Sequence, residues 1–149
     1  MIPVRARLSP VEILLVEDSA ADIKLTTMAL KSMTVENKVG VVKDGDKALS
    51  YLRRQGEFAN AGRPDLVLLD LNLPKKSGYE VLQEIKQDPD LKRIPVIILT
   101  TSEDEKDIIK TYNCHANSFI TKPLDIKGFM EIVKSIEDFW FTIVRLPGE

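Results

Sequence analysis

The sequence predicts a doubly wound α/β domain, a parallel five-stranded sheet in the order 2-1-3-4-5 with helices on both faces. Five short apolar runs, at 13–16, 39–42, 66–69, 96–99 and 119–120, are separated by longer segments of helical pattern. Four of the five runs are continuous rather than alternating, as strands covered on both faces should be. Strict β-α alternation requires crossovers between parallel strands. These are right-handed, and a five-stranded sheet built this way most naturally takes that order.

The elements can be justified in chain order. The first run is uniformly apolar and reads as a central strand. Ser19 can cap the helix that follows, with Asp22 suited to its positive end. The second run contains Gly40 and is the weakest, which suits a place near a sheet edge. Asp44 can cap the next helix. Residues 55–64, with two glycines, read as a surface loop. After the third run, Ser77 and Glu80 fit a capping box, and after the fourth, Ser102 and Glu105 fit another. Asp125 can cap the last helix, with Leu124 and Phe129 at hydrophobic-staple positions. That helix places Ile126, Phe129, Val133, Ile136, Trp140 and Ile143 on one stripe, and Pro147 ends it.

Bulk properties are those of an ordinary soluble domain. A chain of 149 residues can bury one good core. It is 44% hydrophobic and 30% charged, with a net charge of −2 and both signs dispersed. No basic block exists to neutralise phosphates along a nucleic acid, so nucleic acid is not an expected partner. The single cysteine, Cys114, excludes an internal disulfide framework and fits a reducing cytoplasm. Arg5 and Arg7 stand near the start, but no apolar run there has signal-peptide length. No stretch approaches the ~20 apolar residues of a membrane span. The expected organisation is a tail over 1–10 and one domain over 11–149. That domain carries an extended C-terminal helix and tail and no output domain.

In an open parallel sheet, ligands bind beyond the C-terminal ends of the strands. Glu17 and Asp18 follow the first run. Asp70, Leu71, Asn72, Leu73 and Pro74 follow the third. Thr100 and Thr101 follow the fourth, and Thr121, Lys122 and Pro123 the fifth. Three carboxylates, three hydroxyls and an ammonium therefore converge on one rim. Two carboxylates about 4 Å apart repel by roughly 4 kcal/mol at an effective dielectric near 20. A hard divalent cation relieves this, and Mg²⁺ favours a few carboxylates with waters and phosphate oxygens. Lys122 brings a mobile charge suited to a phosphoryl group, and Thr100 a hydroxyl donor. Asp70 is then placed as a nucleophile that forms an acyl phosphate, a reaction governed by positioning and electrostatics.

These residues, in this order and at matching strand ends, resemble the signature of response-regulator receivers over nearly the whole chain, from Val11 to Ile143. The resemblance implies the flavodoxin-like (βα)₅ receiver fold and gives each residue a role. Asp70 matches the phosphoacceptor. Asp18 and Glu17 match the acidic pair that holds Mg²⁺, with Mn²⁺ as an alternative, and Asn72 the position whose backbone carbonyl joins them. Thr100 matches the switch hydroxyl, with Thr101 beside it, and Phe119 the switch aromatic. Lys122 matches the phosphate-binding lysine, and a cis Lys122–Pro123 bond is implied. The run from Asp70 to Lys76, the strand start Ile94-Pro95, and the ending Phe139-Trp140-Phe141 with Leu146-Pro147 are similar to the small regulators that pair with bacterial and cyanobacterial phytochrome kinases. A sensor histidine kinase of that type is the partner implied.

The chain departs from the family pattern at several positions. Glu17 stands where aspartate is also common. Thr101 stands where many receivers have alanine or glycine, which bears on access to the phosphoryl group. Phe119 lacks the hydroxyl of the tyrosine often found there, leaving ring rotation alone to work a switch.

Each residue has an ordinary reading too. Asp18 and Ser19 can simply cap a helix, Asp70 can form a turn, and Lys122 can be a solvated loop lysine. Their joint occurrence at one rim argues for function. The only histidine, His115, lies in a helix-to-strand turn and reads as a solvated loop residue, and Cys114 as a packing residue. The acids at 103–107 read as a solvated first helical turn. Phe139, Phe141, Val144 and Leu146 extend the apolar surface around Trp140 beyond one stripe, and a homodimer through this region is expected.

Three other functions fit less well. An aspartate-nucleophile phosphatase of the haloacid-dehalogenase kind needs a second acid two residues after the first, where this chain has Asn72. A flavin-binding protein of flavodoxin type needs a phosphate-cradling loop, where this chain has Glu17-Asp18-Ser19-Ala20-Ala21-Asp22. A scaffold without phosphotransfer leaves the complete site unexplained.

Overall fold

The computed structural model describes residues 10–33, 36–100, 118–121 and 125–145, with the backbone alone at 100, 118–121, 126, 135 and 139–145. In chain order the elements are β1 (Val11–Val16), α1 (Ala20–Lys31), β2 (Asn37–Val42), α2 (Gly45–Leu52), β3 (Leu66–Asp70), α3 (Gly78–Gln87), β4 (Val96–Thr100), β5 (Ser118–Thr121) and α4 (Ile126–Arg145). The helix expected between β4 and β5, with its Ser102–Glu105 box, lies outside the described residues.

The five strands are parallel and ordered β2-β1-β3-β4-β5, as the alternation predicts. The continuous apolar runs arise because successive side chains serve opposite faces. Leu14, Val16, Val67, Leu69, Val96 and Ile98 form one core with Ala48, Leu49 and Leu52 of α2 and Val81, Leu82 and Ile85 of α3. Val11, Ile13, Leu15, Leu66, Leu68, Ile97 and Leu99 form the other with Leu30 of α1 and Ile132 and Ile136 of α4. Burying one such side chain fully contributes about 1.5–3 kcal/mol, so both layers anchor the strands whose ends carry the polar rim.

The caps form where the sequence places them. Ser19 Oγ accepts from the Asp22 amide at 3.3 Å, and Asp44 Oδ1 from the Lys47 amide at 2.8 Å. Ser77 Oγ accepts from the Glu80 amide at 3.2 Å and donates to the Glu80 carboxylate at 3.3 Å. Asp125 Oδ1 accepts from the Gly128 amide at 2.8 Å. Leu124 of the expected staple lies outside the described residues.

Two details differ from the sequence reading. Ile132, omitted from the stripe of the last helix, is fully buried at the centre of its contact with the sheet, while Phe129 and Val133 flank it. The loop at 55–64 contains a short 3-10 turn, Gly56–Phe58, and Phe58 packs its ring 5.2 Å from that of Tyr51. Tyr51 in turn covers Gly40 of the edge strand, where a Cβ would lie 2.6 Å from the Tyr51 hydroxyl. Gly40 weakens the strand pattern because it makes room for that ring. Burial and the Glu12 carboxylate raise the Tyr51 phenol above its usual pKa. Among the described residues, no helix is long and apolar enough to cross a membrane.

Among the described residues, one buried side-chain group is unsatisfied. Thr26, on the inner face of α1, is fully buried, and its hydroxyl has no hydrogen-bond partner among the described residues. Leaving a buried hydroxyl unpaired costs about 1–3 kcal/mol. Thr26→Val should therefore raise the stability of the protein by about 1 kcal/mol, read as a higher urea midpoint at unchanged slope. A lower midpoint would contradict this reading of the helix–sheet contact.

Candidate phosphoryl and metal site

The rim is assembled by register. Val16 pairs with Leu69, Leu69 with Ile98, and Ile98 with Phe119, giving one level across β1, β3, β4 and β5. One residue further along stand Glu17 beyond β1 and Asp70 at the end of β3, with Asp70 paired to Leu99. Thr100 and Thr121 share the next level. The Glu17 amide still donates to the Val42 carbonyl at 3.0 Å, and the Leu71 amide to the Leu99 carbonyl at 3.2 Å, so the ladder holds the chain as it leaves both strands.

Glu17, Asp18 and Asp70 each direct a carboxylate oxygen to one place, all within 4.8 Å of one another. Glu17 is 0% exposed and Asp70 3%, whereas Asp18 is open to solvent. Local bonds orient the two buried groups. Glu17 Oε2 accepts from the Ser19 amide at 3.2 Å, and Asp70 Oδ1 from the Asn72 amide at 3.0 Å. Two carboxylates buried this close repel by roughly 3–4 kcal/mol at an effective dielectric near 20. An all-oxygen, triply anionic donor set with two buried members fits a hard divalent cation.

The loop from Leu71 to Ser77 shapes the other side. The Gly78 amide donates to the Leu71 carbonyl at 3.0 Å. A Cβ on Gly78 would lie 2.1 Å from the Asp70 carbonyl oxygen, and one on Gly45 would lie 2.1 Å from that of Lys76. These glycines let the starts of α3 and α2 close on the loop. Lys75 takes a left-handed backbone, with φ of 66°. Lys76 forms an ion pair with Glu84 of α3, which also meets Arg53 at 3.4 Å. The Glu84 hydrogen bond raises the Lys76 ammonium above its usual pKa, and the same bond holds the Glu84 carboxyl below its own.

The structure thus brings together Glu17, Asp18 and Asp70 and sets Asn72 beside them. Thr100 and Phe119 are placed by backbone at the ends of β4 and in β5. Thr101, Lys122, Pro123 and Leu146 lie outside the described residues. Phe139, Trp140, Phe141 and Val144 lie on α4, which continues to Arg145. The sequence reading missed Gly45, Gly78 and the Lys76–Glu84 pair, because each depends on which elements approach one another.

Comparisons with known proteins give the family and the fold. The family described as response regulator receiver domain matches residues 13–134. The response regulator Rcp1 of Synechocystis sp. is 51% identical over 139 residues, covering 93% of this chain and 95% of Rcp1. Among solved structures, the phosphorylated cyanobacterial phytochrome response regulator RcpA is 54% identical. It aligns over 91% of this chain and 96% of its own, with a TM-score of 0.82. The Mn²⁺-bound form of Rcp1 is 52% identical and aligns over 88% of this chain and 94% of its own, with a TM-score of 0.80.

The carboxylate cluster generates a stability prediction. In EDTA, Asp70→Asn should raise the thermal midpoint, because it removes buried repulsion while its side-chain oxygen can still accept from Asn72. Mg²⁺ should stabilise the parent, by about 2.7 kcal/mol at a hundredfold excess over its Kd, and the variant much less. Thermal scans with and without Mg²⁺ check both. An unchanged parent midpoint across Mg²⁺ concentrations would refute the metal assignment.

Proposed function

We propose that this chain, which belongs to the response regulator receiver domain family, takes a phosphoryl group onto Asp70 from the phosphohistidine of a phytochrome-type sensor histidine kinase. The observation that carries this reading is the buried Asp70 carboxylate at the end of β3, within 4.8 Å of those of Glu17 and Asp18. In the reaction, an Asp70 carboxylate oxygen forms a bond to phosphorus as the phosphorus–nitrogen bond to the donor imidazole breaks. The product is an aspartyl phosphate, later hydrolysed by water.

Glu17, Asp18, Asp70 and the backbone carbonyl of Asn72 would hold Mg²⁺ or Mn²⁺, and the bound ion supplies positive charge against the phosphoryl oxygens. The Asn72 amide holds Asp70 Oδ1, which fixes the orientation of the nucleophile. Lys122 pairs with the phosphoryl group, and family likeness supports a cis bond between it and Pro123. Thr100 and Thr101 border it, and Thr100 donates to one of its oxygens. The added charge, about −1.5 to −2 at neutral pH, draws Thr100 and Lys122 inward. Phe119 reorients in response and alters the face that partners read. The protein catalyses only its own phosphorylation and dephosphorylation, in the cytoplasm.

The mixed acidic and basic composition supports protein contact as the output rather than nucleic-acid or membrane binding. The Mn²⁺-bound form of Rcp1 and the phosphorylated form of RcpA support the ion and the modification. The phosphatase alternative stays disfavoured, since Asn72 cannot act as the required acid.

Incubation with acetyl phosphate tests the acceptor. Intact mass should increase by one phosphoryl group in the parent with Mg²⁺. It should not increase without Mg²⁺ or in Asp70→Asn. Modification that persists in the variant would place the acceptor elsewhere. Two copies of the chain associate through Phe139, Trp140, Phe141, Val144 and Leu146 at the end of α4. Light scattering should accordingly give a dimer mass at micromolar concentration, and a Trp140→Glu, Phe141→Glu variant a monomer. A monomeric parent, phosphorylated or not, would exclude the dimer.

A further inference from the structure

We infer that Glu84 is a positioning residue: through Lys76 it holds the loop between β3 and α3 in the conformation that sets Asn72 beside Asp70. The inference rests on the function proposed above and extends it to a side chain on the far flank of the loop. The loop does not adopt its path by local preference. Lys75, immediately after Pro74, has a φ of 66°, a left-handed conformation unfavourable for an L-residue with a side chain. Such conformations persist only where the surroundings over-determine them, and they concentrate at functional sites.

The surroundings here can be named. Before the strained residue, the Asn72 amide is tied to Asp70 Oδ1 and the Pro74 ring fixes its own φ. After it, the Lys76 carbonyl is wedged against Gly45 of α2, with no room for a Cβ there. The Lys76 ammonium is paired with Glu84, one helical turn and a half into α3. Glu84 also meets Arg53 at the end of α2, at 3.4 Å. One carboxylate therefore joins the loop to both helices that border it. Each of the two groups in the Lys76–Glu84 pair has its charged form favoured by the other.

Partly exposed pairs of this kind contribute little to global stability. Their effect is expected on the segment they fix, and that segment carries a ligand position and the hydrogen bond to the nucleophile. Losing the pair lets the chain at Lys75 relax toward ordinary backbone angles and shifts Asn72 relative to Asp70. Cation binding should then weaken while the fold remains.

The test is Mn²⁺ affinity of the full chain, measured by the electron paramagnetic resonance signal of free Mn²⁺. Glu84→Gln keeps the shape and removes the charge, and Lys76→Met does so from the other side. Each should raise the Mn²⁺ Kd about three- to tenfold with a urea midpoint close to that of the parent. The double variant should be no worse than about twofold beyond either single one, because both remove the same pair. The Mn²⁺ needed for half-maximal phosphorylation by acetyl phosphate should rise in parallel, with the rate at saturating Mn²⁺ retained. Arg63→Gln, which breaks the remote Arg63–Asp90 pair, should leave affinity unchanged. Affinity within twofold of the parent in both single variants, or losses that multiply in the double variant, would overturn the inference alone. A parent that binds no Mn²⁺ would overturn the inference and the proposed function together.

Discussion

Glu17 and Asp70 are two like charges held out of water, side by side, at the ends of adjacent strands. Nothing in their own chemistry keeps them together. Their repulsion is a standing cost that the rest of the molecule must offset, and the structure can be followed outward from that constraint. The strands that carry them are deeply buried, each face of each strand contributing to a separate apolar layer. The parallel register then fixes the carboxylates at the same level. A site built this way is poised for a cation, because the fold has already met the cost of assembling the ligands.

The same constraint explains the close fit of the loop beyond β3. Asp70 must present its carboxylate at the rim while the chain turns at once into α3. Gly78 allows α3 to begin against the Asp70 backbone, and Gly45 allows α2 to begin against Lys76. The Asn72 amide takes one Asp70 oxygen and so orients the carboxylate that meets Glu17 and Asp18 in the cluster. The strain at Lys75 is the backbone consequence of fitting this turn between two helix starts.

Much of this is legible in the sequence because it is local. Apolar runs report strands buried on both faces, Ser19, Asp44, Ser77 and Asp125 report helix starts, and the residue after each run reports the rim. Gly40 marks the edge strand, though only the structure shows that the ring of Tyr51 is the reason. Features that depend on approach between distant segments are not legible. Ile132 is invisible as the centre of its helix contact, because the stripe drawn from residue spacing runs through Val133, one position beyond it. The pairing of Lys76 with Glu84 and Arg53 requires knowing that α2 and α3 lie side by side. The unpaired hydroxyl of Thr26 looks like any helical threonine until its surroundings are known. Thr101, Lys122 and Pro123 lie outside the described residues, and their roles rest on strand order and family likeness.

The most direct measurement is chemical mapping of the acceptor. An acyl phosphate on an aspartate is reduced by borohydride to homoserine, which survives proteolysis and can be located by peptide sequencing. After treatment with acetyl phosphate and Mg²⁺, the account predicts homoserine at position 70 and aspartate retained at position 18. Homoserine at another position, or none in a protein that has gained the phosphoryl mass, would contradict it.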